Sequence, residues 1–201
     1  MRWEVGIMLK AFLVALGLLV IAPAVQAADC NYDQALLLSL DYKAFDQNMQ
    51  GGWRPLAANK GCEPVAADLI RDFRAAHAEL SANDRWILNW HEGQMRASFG
   101  DYGNAIPLLA ADNPDPSTRD YGAATVAFLK HDKPALLAAR TKLAAEPKPD
   151  GWDAAAADFK TKYGVTITWP SNLDVVDGLI NCFDKPYAEA YDSTCRTKPA
   201  S

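Results

Sequence analysis

Apolar positions recur at the spacing of one helix face through most of the chain, and alanine fills many places between them. Tyr32, Ala35, Leu36, Leu40 and Phe45 mark a first stripe over 31–47, which Gly51-Gly52 interrupts before a short piece at 53–58. Val65, Leu69, Ile70, Phe73 and His77 mark the next, over 63–80, with Pro64 suited to its first turn. Ser81 to Asp84 supplies a capped turn, and the pattern restarts over 85–99 and ends at Gly100. Further helical runs follow at 102–111, 120–130, 133–145, 153–163, 172–183 and 187–191, separated by turns such as Asn113-Pro114-Asp115-Pro116. The single strand-like run is Val165 to Trp169, β-branched and alternating, and one short strand cannot make a sheet. The expectation is an all-α fold of antiparallel helical hairpins, because helices joined by short turns must lie side by side.

The hairpins repeat weakly. A shift of about 30 residues lays Ala105-Ile106 over Ala135-Leu136 and Gly93 over Ala123. Gly93, Gly100, Tyr102, Ala105 and Ile106 are spaced as in a tetratricopeptide repeat, so 86–116 resembles one unit of that family. Arg96 stands where the family prefers an aromatic and Asp112 where it prefers a small residue. The resemblance implies a tetratricopeptide-like stack, or a compact helical bundle built of similar hairpins. It also implies a concave groove, to which Trp90 and Gln94 contribute from one hairpin and Ser117 and Asp120 from the next.

The first residues read as an address. Arg2 and Lys10 flank a start at Met1 or Met8, and the run over 11–24 carries no charge. It is shorter than the roughly 20 residues a membrane span needs, and it closes on Val25-Gln26-Ala27. This predicts a signal peptide over 1–27, cleaved before Ala28, and one α-helical domain over 28–201 with 165–201 as a C-terminal cap. Asp29 before Cys30 argues against lipid attachment at that cysteine. The expected compartment is the periplasm or the exterior, with no membrane insertion once the leader is removed.

Four cysteines in an exported chain predict disulfides. Of the three possible pairings, Cys30 with Cys62 and Cys182 with Cys195 each bracket one local helical unit. No C-x-x-C occurs and no histidine neighbours a cysteine, so neither a metal nor another cofactor is implied. The formal net charge of −5 argues against nucleic acid as a partner.

Enzymatic motifs are sparse. His91-Glu92 opens like H-E-x-x-H, but Met95 occupies the second histidine's place. His77 and His91 fall on consecutive antiparallel helices, where two imidazoles facing one another could do acid–base work or hold a metal. His131 lies in a turn, and of Asp174 and Asp177, three apart on one helix face, Asp174 near the helix start is explained by its dipole. Trp86 and Trp90 share a helix face, and the expectation is Trp86 in the core and Trp90 in the groove. The leading functional expectation is therefore an exported adaptor or inhibitor that holds a protein or peptide segment in its groove. A hydrolase or metal-dependent enzyme built on His77 and His91, and a structural envelope component, are the alternatives.

Overall fold

A computed structural model describes residues 29–113 and 115–196. The leader expected over 1–27 lies outside the described residues, as do Pro114 and the chain beyond Arg196. The described residues form ten α-helices, a π turn and a 3₁₀ turn, without a strand. In chain order these are α1 (Gln34–Leu38), the π turn (Lys43–Gln47), α2 (Arg54–Ala57), α3 (Glu63–Ala76), α4 (Ala82–Ser98) and α5 (Tyr102–Leu109). Then come α6 (Pro116–Leu129), α7 (Lys133–Ala144), α8 (Trp152–Tyr163), α9 (Leu173–Asn181), α10 (Tyr187–Ala190) and the 3₁₀ turn (Ser193–Cys195).

Side-chain caps fix most of the starts. Asp33, Ser81, Asp115 and Asp132 accept from the backbone N–H of Leu36, Asp84, Thr118 and Ala135 at 3.0, 3.1, 2.7 and 3.0 Å. Prolines occupy the first turn of α2, α3, α6 and α7, where a missing N–H costs nothing. The Asp115 cap starts α6 four residues earlier than the apolar pattern suggested.

The helix expected over 31–47 is two elements. Ser39 turns its hydroxyl onto the Leu36 carbonyl at 2.8 Å and ends α1, and Asp41 caps Ala44 N at 2.7 Å to begin the π turn. Polar side chains bonding their own backbone have outcompeted the continuous helix. The β-branched run over 165–169 is extended but pairs with nothing as a strand.

Two apolar clusters form. Phe45, Trp53, Leu56, Leu69, Ile70, Phe73 and Leu88 build one from α2, α3, the π turn and one side of α4. Trp90, Ala97, Ala105, Leu109, Tyr121, Phe128, Leu136, Leu143 and Leu179 build the other from α4, α5, α6, α7 and α9. Helix α4 is the shared wall. Gly93 lets α5 reach it, since a Cβ there would lie 2.7 Å from Leu109 Cγ. The C-terminal segment expected as a cap does more than cover: Val176, Leu179, Tyr187 and Ala190 are fully inside the second cluster.

Both disulfides pair as expected, Cys30 with Cys62 and Cys182 with Cys195, at Cα separations of 5.5 and 5.9 Å. Such bonds persist in oxidising, extracytoplasmic surroundings. No helix among the described residues is long and apolar enough to cross a membrane. Loop closure predicts that replacing Cys30 and Cys62 by serine costs about 4 kcal/mol, and replacing Cys182 and Cys195 about 3 kcal/mol. Urea unfolding of the two double variants measures both, and the order should follow the sequence separations of 32 and 13.

Candidate functional site

The residues expected to line a groove are mostly inside. Trp90 is only 8% exposed, stacked between Trp86 at 5.7 Å and Tyr121 at 5.1 Å. Gly122 lies against the Trp90 ring and brings α6 close to α5, since a Cβ there would stand 3.2 Å from the Leu109 carbonyl oxygen. Trp86 is the more exposed of the two and donates its indole N–H to the Ala111 carbonyl at 3.1 Å. Trp90 therefore lies in the core rather than in a groove, and Trp86 packs partly buried against the same cluster. Ser117 is buried and Asp120 half-buried. Gln94 donates to the Tyr191 hydroxyl at 3.4 Å, and α10 packs against α4. The chain's own C-terminal segment thus lies against the face that the resemblance assigned to a partner.

The two histidines do not form a joint site. His77 faces Glu79 Oε1 at 2.5 Å through Nδ1 and the Leu38 carbonyl at 3.0 Å through Nε2. Both partners are acceptors, so the ring is best served as an imidazolium. Burial alone would lower its pKa, but the bonds to Glu79 and Leu38 outweigh that and raise it. His77 is a clasp between α1 and the end of α3. His91 instead places Nδ1 2.7 Å from Asp46 Oδ1. Its neighbour Glu92 points the other way, held by Arg74 at 2.7 Å and Arg96 at 2.8 Å, which ties α4 to α3.

Asp46 is the residue that the sequence pattern did not single out. It is 0% exposed, although it sits in a short turn just before the exposed stretch over 47–50. The π turn supplies the extra backbone width that lets Phe45 and Asp46 both face inward. Gly52 then folds the chain back over the turn at φ +58°, with no room for a side chain: a Cβ would fall 1.7 Å from the Phe45 carbonyl. That return delivers Trp53, whose indole N–H donates to Asp46 Oδ1 at 3.0 Å. Gln47 Nε2 donates to Asp46 Oδ2 at 2.6 Å and to the Tyr42 hydroxyl at 3.0 Å. Arg54 donates to the Asp46 backbone carbonyl while its guanidinium lies 4.5 Å over the Trp53 ring.

The electrostatics follow from this geometry. Burial alone would raise the Asp46 carboxyl, but the bonds from His91 and Trp53, with the charges of His91 and Arg54, hold it below its ordinary value. Burial beside Asp46 and Asp84 pushes Tyr42 well above the usual phenol range. Burial lowers Arg54, against the pull of Asp46 and Tyr42. An ionised carboxylate only accepts, so His91 presents Nδ1–H to it. Nε2 takes no hydrogen bond among the described residues, nor is it among the buried atoms left without a partner. It therefore reaches solvent.

On the outer side of the same turn is an open cleft of about 770 Å³, whose far wall is the end of α8. Lys43, Gln47, Met49, Lys162, Tyr163 and Val165 line it. Met49 and Val165 are 53% and 49% exposed. Helix α8 buries no residue of its own. Its base is held by Trp152, 4.9 Å from the Trp169 ring, and by the Trp169 indole donating to the Glu146 carbonyl at 3.0 Å. Among the described residues no group of histidine, cysteine or acidic side chains is arranged to hold a metal ion.

Two stability measurements check these placements. Trp90→Ala should cost about 3–5 kcal/mol, a core cavity rather than a surface trim, read from thermal melting. For Asp46 the folded pKa is depressed, so its stabilisation is complete at neutral pH and is lost as pH falls below about 5. The melting temperature of the native protein should consequently drop more steeply on acidification than that of Asp46→Asn.

No family model, curated protein or solved structure matches this chain significantly.

Proposed function

We propose that the protein is exported and acts as a binding protein, an adaptor or inhibitor that holds a protein or peptide segment in the cleft between the π turn and the end of α8. The single observation that carries this reading is the cleft itself. Its volume of about 770 Å³ falls within the range of ligand-holding clefts. Its walls combine exposed apolar side chains, Met49, Tyr163 and Val165, with amides at Gln47, Asn48 and Gln50. A helix that contributes nothing to either core, yet carries paired aromatics Phe159 and Tyr163 at 4.7 Å, is accounted for when its work is done at the surface. The amides can serve a partner's backbone, and the apolar groups can anchor its side chains.

Export accounts for the uncharged run over 11–24 and for the two disulfides together. The periplasm, or the cell exterior, is the compartment in which the adaptor would meet its partner.

The test places a photo-cross-linking amino acid at Met49, Tyr163 or the distant exposed Leu137 in cells that export the protein. Positions 49 and 163 should yield the same discrete adduct, and position 137 should not. Tyr163→Ala should then weaken the purified pair by about tenfold or more. Identical labelling from all three positions would remove the cleft from the reading, and a recovered chain that still begins before Ala28 would remove export.

A further inference from the structure

We infer that His91 and Asp46 form a proton-transfer dyad, and that His91 acts as a general base activating water against an acyl substrate, a carboxylic ester or a comparably activated acyl compound. This activity goes beyond partner binding and uses a different face of the π turn.

The arrangement has the parts such chemistry requires. A fully buried carboxylate, fixed by the Trp53 indole at 3.0 Å and the Gln47 amide at 2.6 Å, holds Nδ1 of the imidazole at 2.7 Å. That bond fixes the ring's orientation and leaves the lone pair on Nε2. The His91 side chain keeps 19% exposure. His77, by contrast, spends both of its nitrogens. Arg54 is bonded to the same aspartate's carbonyl, with its remaining N–H groups unspent among the described residues. Gln94 lies three residues on along α4 and shares the face of His91.

The identity of the base narrows the reaction. In-line phosphodiester cleavage calls for one group at the attacking oxygen and another at the leaving oxygen. Only one imidazole is offered, since His77 is committed elsewhere. Among the described residues no serine hydroxyl or cysteine thiol is hydrogen-bonded to His91, so the nucleophile assigned is water. Water adds to the acyl carbon as its proton passes to Nε2. The imidazolium then returns that proton to the leaving oxygen as the acyl–oxygen bond breaks. An acid and an alcohol depart, and the dyad is restored without any oxidant or cofactor. Asp46 is a positioning residue: it touches His91 and not the substrate.

The probe is p-nitrophenyl acetate, offered to the exported chain with both disulfides intact. The native protein should hydrolyse it well above the rate of an equal concentration of free imidazole. His91→Gln should lower the rate by about a hundredfold, while His131→Gln, at an exposed surface histidine, should leave it unchanged. Asp46→Asn should lower kcat with little change in KM and shift the His91 ring toward its other tautomer, read from imidazole ¹⁵N resonances. Should the His91 variant fail to fold, diethyl pyrocarbonate on the native protein replaces it: activity should fall with acylation of His91 and return with hydroxylamine. A native rate equal to free imidazole, full activity in His91→Gln, or full activity with His91 acylated would each overturn the dyad. Faster turnover of bis(p-nitrophenyl) phosphate than of the acetate would overturn the acyl assignment. Cross-linking from Met49 and Tyr163 reads the cleft separately, so either proposal can fail alone.

Discussion

A carboxylate with no exposed surface cannot stay ionised unless its surroundings replace the water it has lost. Asp46 meets that demand with donors drawn from three separate stretches: Gln47 beside it, Trp53 beyond the glycine return, and His91 on α4. The N-terminal architecture follows from assembling them. The π turn aims the carboxylate inward, Gly52 reverses the chain, and Trp53 closes over Phe45 and α3 as part of the apolar cluster. Removing any one donor would leave a buried charge short of a bond, which costs more than the bond itself contributes.

Helix α4 connects that demand to the rest of the molecule by dividing its faces. Leu88 and Met95 belong to the N-terminal cluster, Trp90 and Ala97 to the C-terminal one. Glu92 is clamped by Arg74 and Arg96, tying the helix to α3 through charge as well as packing. What remains is the polar edge carrying His91 and Gln94, between the Asp46 turn on one side and Tyr191 on the other. The helix that carries most structural responsibility therefore also carries the imidazole that the buried carboxylate orients.

Much of this fold is readable along the chain because it is local. Asp33, Ser81, Asp115 and Asp132 announce helix starts through bonds three residues long. Each disulfide closes a loop around a neighbouring helical unit, so proximity in sequence identifies the pairs. The site is different. Asp46 and His91 are 45 residues apart, and nothing in the spacing of either predicts the other. The hint lay in Gly51-Gly52 followed by Trp53-Arg54, a sharp return carrying a donor-bearing aromatic and a cation. Trp90 was misplaced for a related reason. Helical spacing puts it on Trp86's face, but its burial depends on a ring of another hairpin, Tyr121 at 5.1 Å.

Gln47 is where the proposed binding and chemistry meet. Its side chain is exposed to the cleft, yet its amide nitrogen is spent on Asp46 Oδ2 and the Tyr42 hydroxyl. A partner that competes for that amide withdraws a donor from a buried carboxylate, and the charge must then lean more heavily on Trp53 and His91. The outer cleft and the satisfaction of the buried carboxylate therefore meet at a single amide group.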